Sequence, residues 1–202
     1  MIETAENLAK DYGITREQAD EYAVMSHKRA TAAWAEKRFA DELVPVSVPK
    51  KRGETELFAE DEGYRADASM QTLGALKPIE KNGIVTAGNA SQQNDAAAAC
   101  LVVAEDKLEE LSLQPRAWFH SWAAAGCDPS RMGIGPVPAV ERLFKRTGLG
   151  WKDIDLVELN EAFAPQVLAV LKGWGWDDRD KLNVNGSGIS LGHPIGATGG
   201  RI

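Results

Sequence analysis

The strongest apolar periodicity begins at Thr15. Thr15-Arg16-Glu17-Gln18 has capping-box spacing, and Ala19, Tyr22, Ala23, Ala30, Ala33 and Trp34 form one stripe behind it, which predicts a helix running to about Phe39. That stripe is packing surface. A shorter helix precedes it, with Thr4 as its cap, Lys10 near its end and Gly13 to stop it. Two more helices are predicted over 136–147, with Pro136 near the start and Gly148 past the end, and over 161–172.

Shorter apolar runs read differently. Residues 44–48 are β-like but interrupted by Pro45, which suits an edge or a connection. Ile84-Val85-Thr86 and the runs 116–125, 154–159 and 182–184 are strand candidates. Residues 96–104 follow Asn94-Asp95 as an unbroken apolar run, and periodicity alone does not separate a buried strand from a helix there. The stretch 50–78 is polar and poorly periodic, with Glu60, Asp61, Glu62 and Gly63 at its centre, and is expected to leave the core as a flap over a site. Strands alternating with helices give an α/β class. The chain ends at Arg201-Ile202 without a closing turn, as though cut.

Composition then narrows the function classes. With 202 residues, 44% hydrophobic and 26% charged, the chain can bury a core as one large domain or two small ones. Thirty acidic against 23 basic residues leave a net charge of −7, which repels polyanions, and the one dense basic group, Lys50-Lys51-Arg52, reads as a solvated turn. No nucleic-acid partner is expected. No run approaches the roughly 20 apolar residues of a membrane span, and Glu3 and Glu6 follow Met1 where a signal segment would be basic and apolar, so a cytoplasmic protein without a membrane partner is expected. Cys100 and Cys127 have neither CxxC nor metal-ligand spacing and read as ordinary thiols, with no metal site.

Candidate chemistry gathers in four segments. The glycine-dense stretch 183–200 fits neither a Walker loop nor GxGxxG, which argues against nucleotide cradling. Within it His193 stands between Gly192 and Pro194 among small side chains, where an imidazole either presents a ring N–H to a developing oxyanion, exchanges a proton, or is simply a structural histidine. Leu159-Asn160-Glu161-Ala162-Phe163-Ala164 lies at a strand-to-helix junction, so Asn160 is either a helix cap or an amide orienting a water or a carbonyl. Met132-Gly133-Ile134-Gly135-Pro136 is a stiff turn into a helix, and in the fourth segment, Thr86-Ala87-Gly88-Asn89-Ala90-Ser91 with Asn94 just beyond it, Ser91 and Asn94 are ligand contacts or caps.

Met1-Ile2-Glu3-Thr4-Ala5-Glu6-Asn7, residues 86–94, Gly126-Cys127-Asp128-Pro129 through Ala139, residues 160–164 and residues 183–201 together, and in this order, resemble the signatures of the thiolase family over essentially the whole chain. The resemblance implies a thiolase-like layered α/β fold. Residues 1–86 would be the later part of a CoA-covering loop domain with a lead-in to the core, and 87–202 the C-terminal half, truncated at its end. It implies acyl transfer by thiolytic cleavage of 3-ketoacyl-CoA or condensation of two acetyl-CoA, with acyl-CoA and CoA as partners, no cofactor beyond the CoA thioester substrate, and a homo-oligomer (dimer or tetramer) for the intact enzyme. His193 and Asn160 would form an oxyanion hole for the thioester enolate. Ser91 would bond the pantetheine arm, Met132, Ala162 and Phe163 would line its channel, and Tyr64 and Arg65 would meet the adenine and phosphate end.

Two departures matter. The nucleophilic cysteine of the family's first half and the acid/base cysteine that follows the Gly-His-Pro segment are both absent, and Cys100 and Cys127 stand in other surroundings. No turnover is expected from the chain alone. A noncatalytic CoA-binding or oligomerisation module of a split or decayed thiolase is the alternative, and a decarboxylating ketoacyl synthase the other enzyme reading, disfavoured by Asn-Glu-Ala-Phe beside Gly-His-Pro. A smaller departure is Ala96 after Asp95, where the family usually has glycine.

Overall fold

The computed structural model describes residues 1–202, the side chain of Arg52 excepted. The chain folds around three helices, α1 (Ile2–Asp11), α2 (Arg16–Ala35) and α5 (Ala164–Trp174), which bury one apolar core between them. Leu8 and Ala9 of α1, Ala19, Tyr22 and Ala23 of α2, and Val167, Val170 and Leu171 of α5 meet there. In α5 every residue from 164 to 171 is buried, so the helix runs through the interior and carries no polar face in its first two turns apart from Gln166.

Local chemistry explains most boundaries. Thr15 accepts from the Gln18 N–H and Gln18 returns a bond to the Thr15 N–H, the reciprocal cap that the sequence pattern predicts. The helix stops at Ala35 rather than Phe39. Lys37 takes a left-handed conformation (φ 56°), the Lys37 N–H reaches Trp34 O at 3.0 Å and the Arg38 N–H reaches Ala33 O at 2.9 Å, a Schellman closure made without glycine. Met1, not Thr4, is the N-cap of α1, and the Thr4 hydroxyl donates back to Met1 O. Helix α4 (Pro136–Thr147) ends on a left-handed Gly148, and α5 begins at Ala164, with Pro165 in its first turn, rather than at Glu161.

The strand expectations fare less uniformly. A two-stranded antiparallel hairpin, β1 (Val46–Pro49) with β2 (Thr55–Phe58), forms out of the predicted edge segment and lies wholly exposed. The rest of the polar excursion returns to the body through α3 (Met70–Gly74), with Gly63, Ala68 and Leu73 buried. Residues 154–159 and 182–184 meet as a short parallel bridge, Val157 against Leu182, through Val157 N–H to Lys181 O at 2.8 Å and Asn183 N–H to Val157 O at 2.9 Å. Ile84-Val85 forms no strand. The Glu6 carboxylate accepts both backbone N–H groups at 2.8–2.9 Å and stands where a ladder partner would.

Residues 96–104 and 116–125 are neither helix nor strand, contrary to the expectation of core elements, and Leu101, Val102, Trp118, Phe119 and Trp122 are exposed. Among the described residues no backbone hydrogen bond pairs either run with another segment, and an extended segment without a ladder partner forms no strand. Two short helices close the chain: α6 (Gly188–Leu191) and α7 (Ile195–Arg201).

Candidate active site

The site is built outward from the end of the parallel bridge. Leu159 is the last residue held by pairing, but the partner is a side chain: Asn183 accepts the Leu159 N–H at 2.7 Å and donates Nδ2 to Leu159 O at 2.8 Å. Asn183 reaches both atoms from a left-handed backbone (φ 45°), a conformation asparagine tolerates better than most residues. Asn160 therefore leaves a fixed strand end.

Beneath it lies Glu161, fully buried. Its Oε1 accepts from the Tyr22 hydroxyl at 2.8 Å and Asn183 Nδ2 at 3.0 Å, and its Oε2 accepts from Ser26 Oγ at 2.6 Å and the Ile189 N–H at 3.2 Å. Burial pushes the Glu161 carboxyl above the usual carboxylate range, with these donors opposing it, and the same burial, reinforced by the Glu161 charge, drives the Tyr22 hydroxyl well above its ordinary value. One carboxylate thus ties α2, the 160–163 turn and the start of α6 into a single rigid unit.

His193 follows α6. Gly192 has φ 93°, and a Cβ there would run into the Asn94 amide, so glycine is required for the tight approach. Gly188 is similar, because a Cβ would meet Glu161 O and Asn160 Oδ1. The His193 N–H donates to Gln92 O at 3.1 Å, Nδ1 stands 2.7 Å from Thr198 Oγ1, and Nε2 stands 3.2 Å from Asn160 Nδ2. Partial burial, with Arg201 nearby, holds the imidazole somewhat below its ordinary pKa.

The His193–Asn160 pair opens onto a cavity of about 600 Å³ walled by Met132, Ala162, Phe163, Leu143, Phe144 and Trp174. Five of the sequence-predicted site residues, His193, Asn160, Met132, Ala162 and Phe163, thus line one space. Ser91 stands just behind it: its N–H donates to Ala162 O at 2.9 Å, and it is not part of the lining. Tyr64 and Arg65 lie elsewhere, against α2. Tyr64 stacks on Trp34 and donates to Glu60, while the Arg65 N–H donates to His27 Nδ1 at 3.2 Å. Asn94, a candidate cap, packs against Gly192 and starts no helix.

Sequence reading missed Glu161, Asn183, Tyr22, Ser26, Gln166 and Thr198. Only Glu161 carried a signal, as a charged residue set between a strand end and an apolar turn. Among the described residues no partner meets Asn160 Oδ1 or Gln166 Oε1, both buried and both on the cavity wall. An apolar space with buried acceptors, an amide and an imidazole at one end suits a slender, mostly apolar ligand that brings N–H groups and a polarisable carbonyl.

The whole chain superposes on the crystal structure of the Bacillus anthracis acetyl-CoA acetyltransferase with a TM-score of 0.96 and 48% identity, covering 100% of this chain and 51% of that one. The human mitochondrial 3-ketoacyl-CoA thiolase follows with a TM-score of 0.89 and 44% identity over 98% of this chain and 50% of that one. The architecture is therefore the α/β thiolase fold, in part.

Family models for the "Thiolase, N-terminal domain" and "Thiolase, C-terminal domain" match residues 1–106 and 113–202. The acetyl-CoA acetyltransferase of Cupriavidus necator is 50% identical over 98% of this chain and 51% of its own length. The chain belongs to the thiolase family, and it spans about half the length of the relatives it matches.

Proposed function

We propose that this chain provides the oxyanion-stabilising, CoA-binding part of a thiolase-type acyl-CoA acyltransferase, which cleaves 3-ketoacyl-CoA with CoA or condenses two acetyl-CoA. The observation that carries the reading is the convergence of His193 and Asn160, 3.2 Å apart, at the mouth of an apolar cavity. Removing a proton from the carbon beside a thioester sends negative charge to its oxygen. Fixed donors aimed at that oxygen lower the barrier, each by about 2.7–4 kcal/mol in comparable sites. His193 and Asn160 take that role, the asparagine through a held water.

Met132, Ala162 and Phe163 line the pantetheine arm, Ser91 bonds it from behind, and Tyr64 and Arg65 receive the adenine and phosphate end. Residues 1–86 act as the later part of the loop domain with a lead-in to the core, and 87–202 as most of the C-terminal half. The exposed runs 96–104 and 116–125 are read as strands of the intact sheet, and the intact enzyme as a cytoplasmic homo-oligomer. Turnover requires the two reactive cysteines of the family, which this chain does not carry, so the isolated chain binds without turning over.

A second reading, a noncatalytic CoA-binding module, draws support from the exposure of both Cys100 and Cys127 away from the cavity wall. Calorimetric titration of the chain with CoA tests the part the two readings share: saturable binding that weakens at Phe163→Asp is expected, and heat indistinguishable from dilution would overturn both. Condensation or thiolysis regained on adding a nucleophile-bearing thiolase half separates them, since a noncatalytic module restores nothing.

A further inference from the structure

The hydrogen bonds around His193 specify where its proton sits. Thr198 belongs to α7, is buried, and donates its hydroxyl to Pro194 O, four residues back, at 2.9 Å. A hydroxyl has one proton to give. Having given it to a carbonyl, Thr198 Oγ1 meets His193 Nδ1 at 2.7 Å as an acceptor, so Nδ1 is the nitrogen that bears the hydrogen. A neutral imidazole carries a single N–H, which leaves Nε2 as a bare lone pair. On the far side of the ring Asn160 Nδ2 stands 3.2 Å from Nε2, an amide orientation that leaves Asn160 Oδ1 without a partner.

We infer that Thr198 is a positioning residue which holds neutral His193 as the Nδ1–H tautomer, with an unprotonated Nε2 facing Asn160 and the cavity. His27 is the internal contrast. Its Nδ1 accepts the Arg65 N–H at 3.2 Å, so its hydrogen sits on Nε2, and the buried ring of His27 and the half-buried ring of His193 carry opposite tautomers. The assignment stands on geometry alone, whereas its consequence rests on the proposed function. A neutral His193 cannot donate from Nε2, so it serves a thioester oxygen only after that nitrogen has accepted a proton from water. The charged ring then donates from both nitrogens, to Thr198 on one side and to the substrate oxygen on the other.

The test is long-range proton–nitrogen NMR of the ¹⁵N-labelled 202-residue protein at a pH where the rings are neutral. His27, His120 and His193 are its three histidines, and His193 is assigned by the resonances that His193→Gln removes. The expected pattern is a protonated Nδ1 and bare Nε2 for His193, the reverse for His27. Thr198→Val should lose the His193 preference and raise the Nε2–H signature, Thr198→Ser should keep it, and His27 should stay unchanged in both. An Nε2–H ring at position 193 in the parent protein, or an undisturbed Nδ1–H in a folded Thr198→Val, overturns the inference. If Thr198→Val does not fold, which collapse of the His27 pattern reports, the parent spectrum still decides. A protein with the expected tautomers that fails to bind CoA removes the proposed function and leaves the tautomer assignment standing.

Discussion

Residues 96–104 and 164–171 are alike in sequence, two short runs rich in Ala, Val and Leu, yet the second is a buried helix and the first is exposed and irregular. The difference lies in what each can touch. Residues 164–171 find α1 and α2 and the 129–134 turn around them, and transfer of their apolar surface out of water stabilises the helix. Residues 96–104 find no such surroundings within this chain, although the whole chain, these residues included, follows the path of the solved acetyl-CoA acetyltransferase. Apolar composition supplies only the potential for an element; burial requires a second surface.

Native-state hydrogen exchange should show the largest effect: amides in α5 should exchange at least about a thousandfold more slowly than those of 96–104 and 116–125, since opening free energies span from near zero to the global stability. Equal protection in the two runs would erase the distinction. Truncation should follow the same divide. Leu171→Ala should cost about 2–5 kcal/mol in denaturant unfolding, while Val102→Ala stays within about 0.5 kcal/mol, as an exposed change does.

A smaller effect concerns the buried network that joins the core to the site. Tyr22→Phe leaves Glu161 one donor short and should cost about 1–3 kcal/mol. Glu161 also gives stability a pH dependence. Its folded pKa lies above the unfolded value, so the folded form holds the proton more tightly; that contribution is present below the unfolded pKa and is lost as pH rises through the folded one. Glu161→Gln should remove this downward slope, and a slope unchanged in the variant would assign it to other groups.

The other pH effect is at His27, held down to about 4 chiefly by burial, with Arg65 adding to it and Asp67 opposing. Here the folded pKa lies below the usual 6.5, so the stability contribution is present above that value and is lost as pH falls toward about 4. His27→Asn should flatten the acid side of the stability curve. A curve of unchanged shape contradicts the assignment.

Sequence patterning exposed what is local and left out what is long-range. The Thr15–Gln18 cap, the α2 stripe and the glycine that ends α4 follow from neighbours a few positions apart, so they are legible. The end of α2 is not, because Lys37 takes a conformation that favours glycine and nothing in its side chain announces it. His193 and Asn160 stand out by type and by the family resemblance. Glu161, Tyr22, Ser26 and Asn183 do not, since a buried carboxylate network joins positions 22 and 161 across 139 residues and leaves no periodic trace.

His193 and Asn160 are proposed to act together on one developing charge. The most direct test is steady-state kinetics of a restored full-length enzyme carrying His193→Ala. The expected result is kcat lowered about 10²–10³-fold with KM nearly unchanged, the mark of an interaction that strengthens in the transition state. An unchanged kcat with a raised KM would make His193 a binding residue only and contradict it.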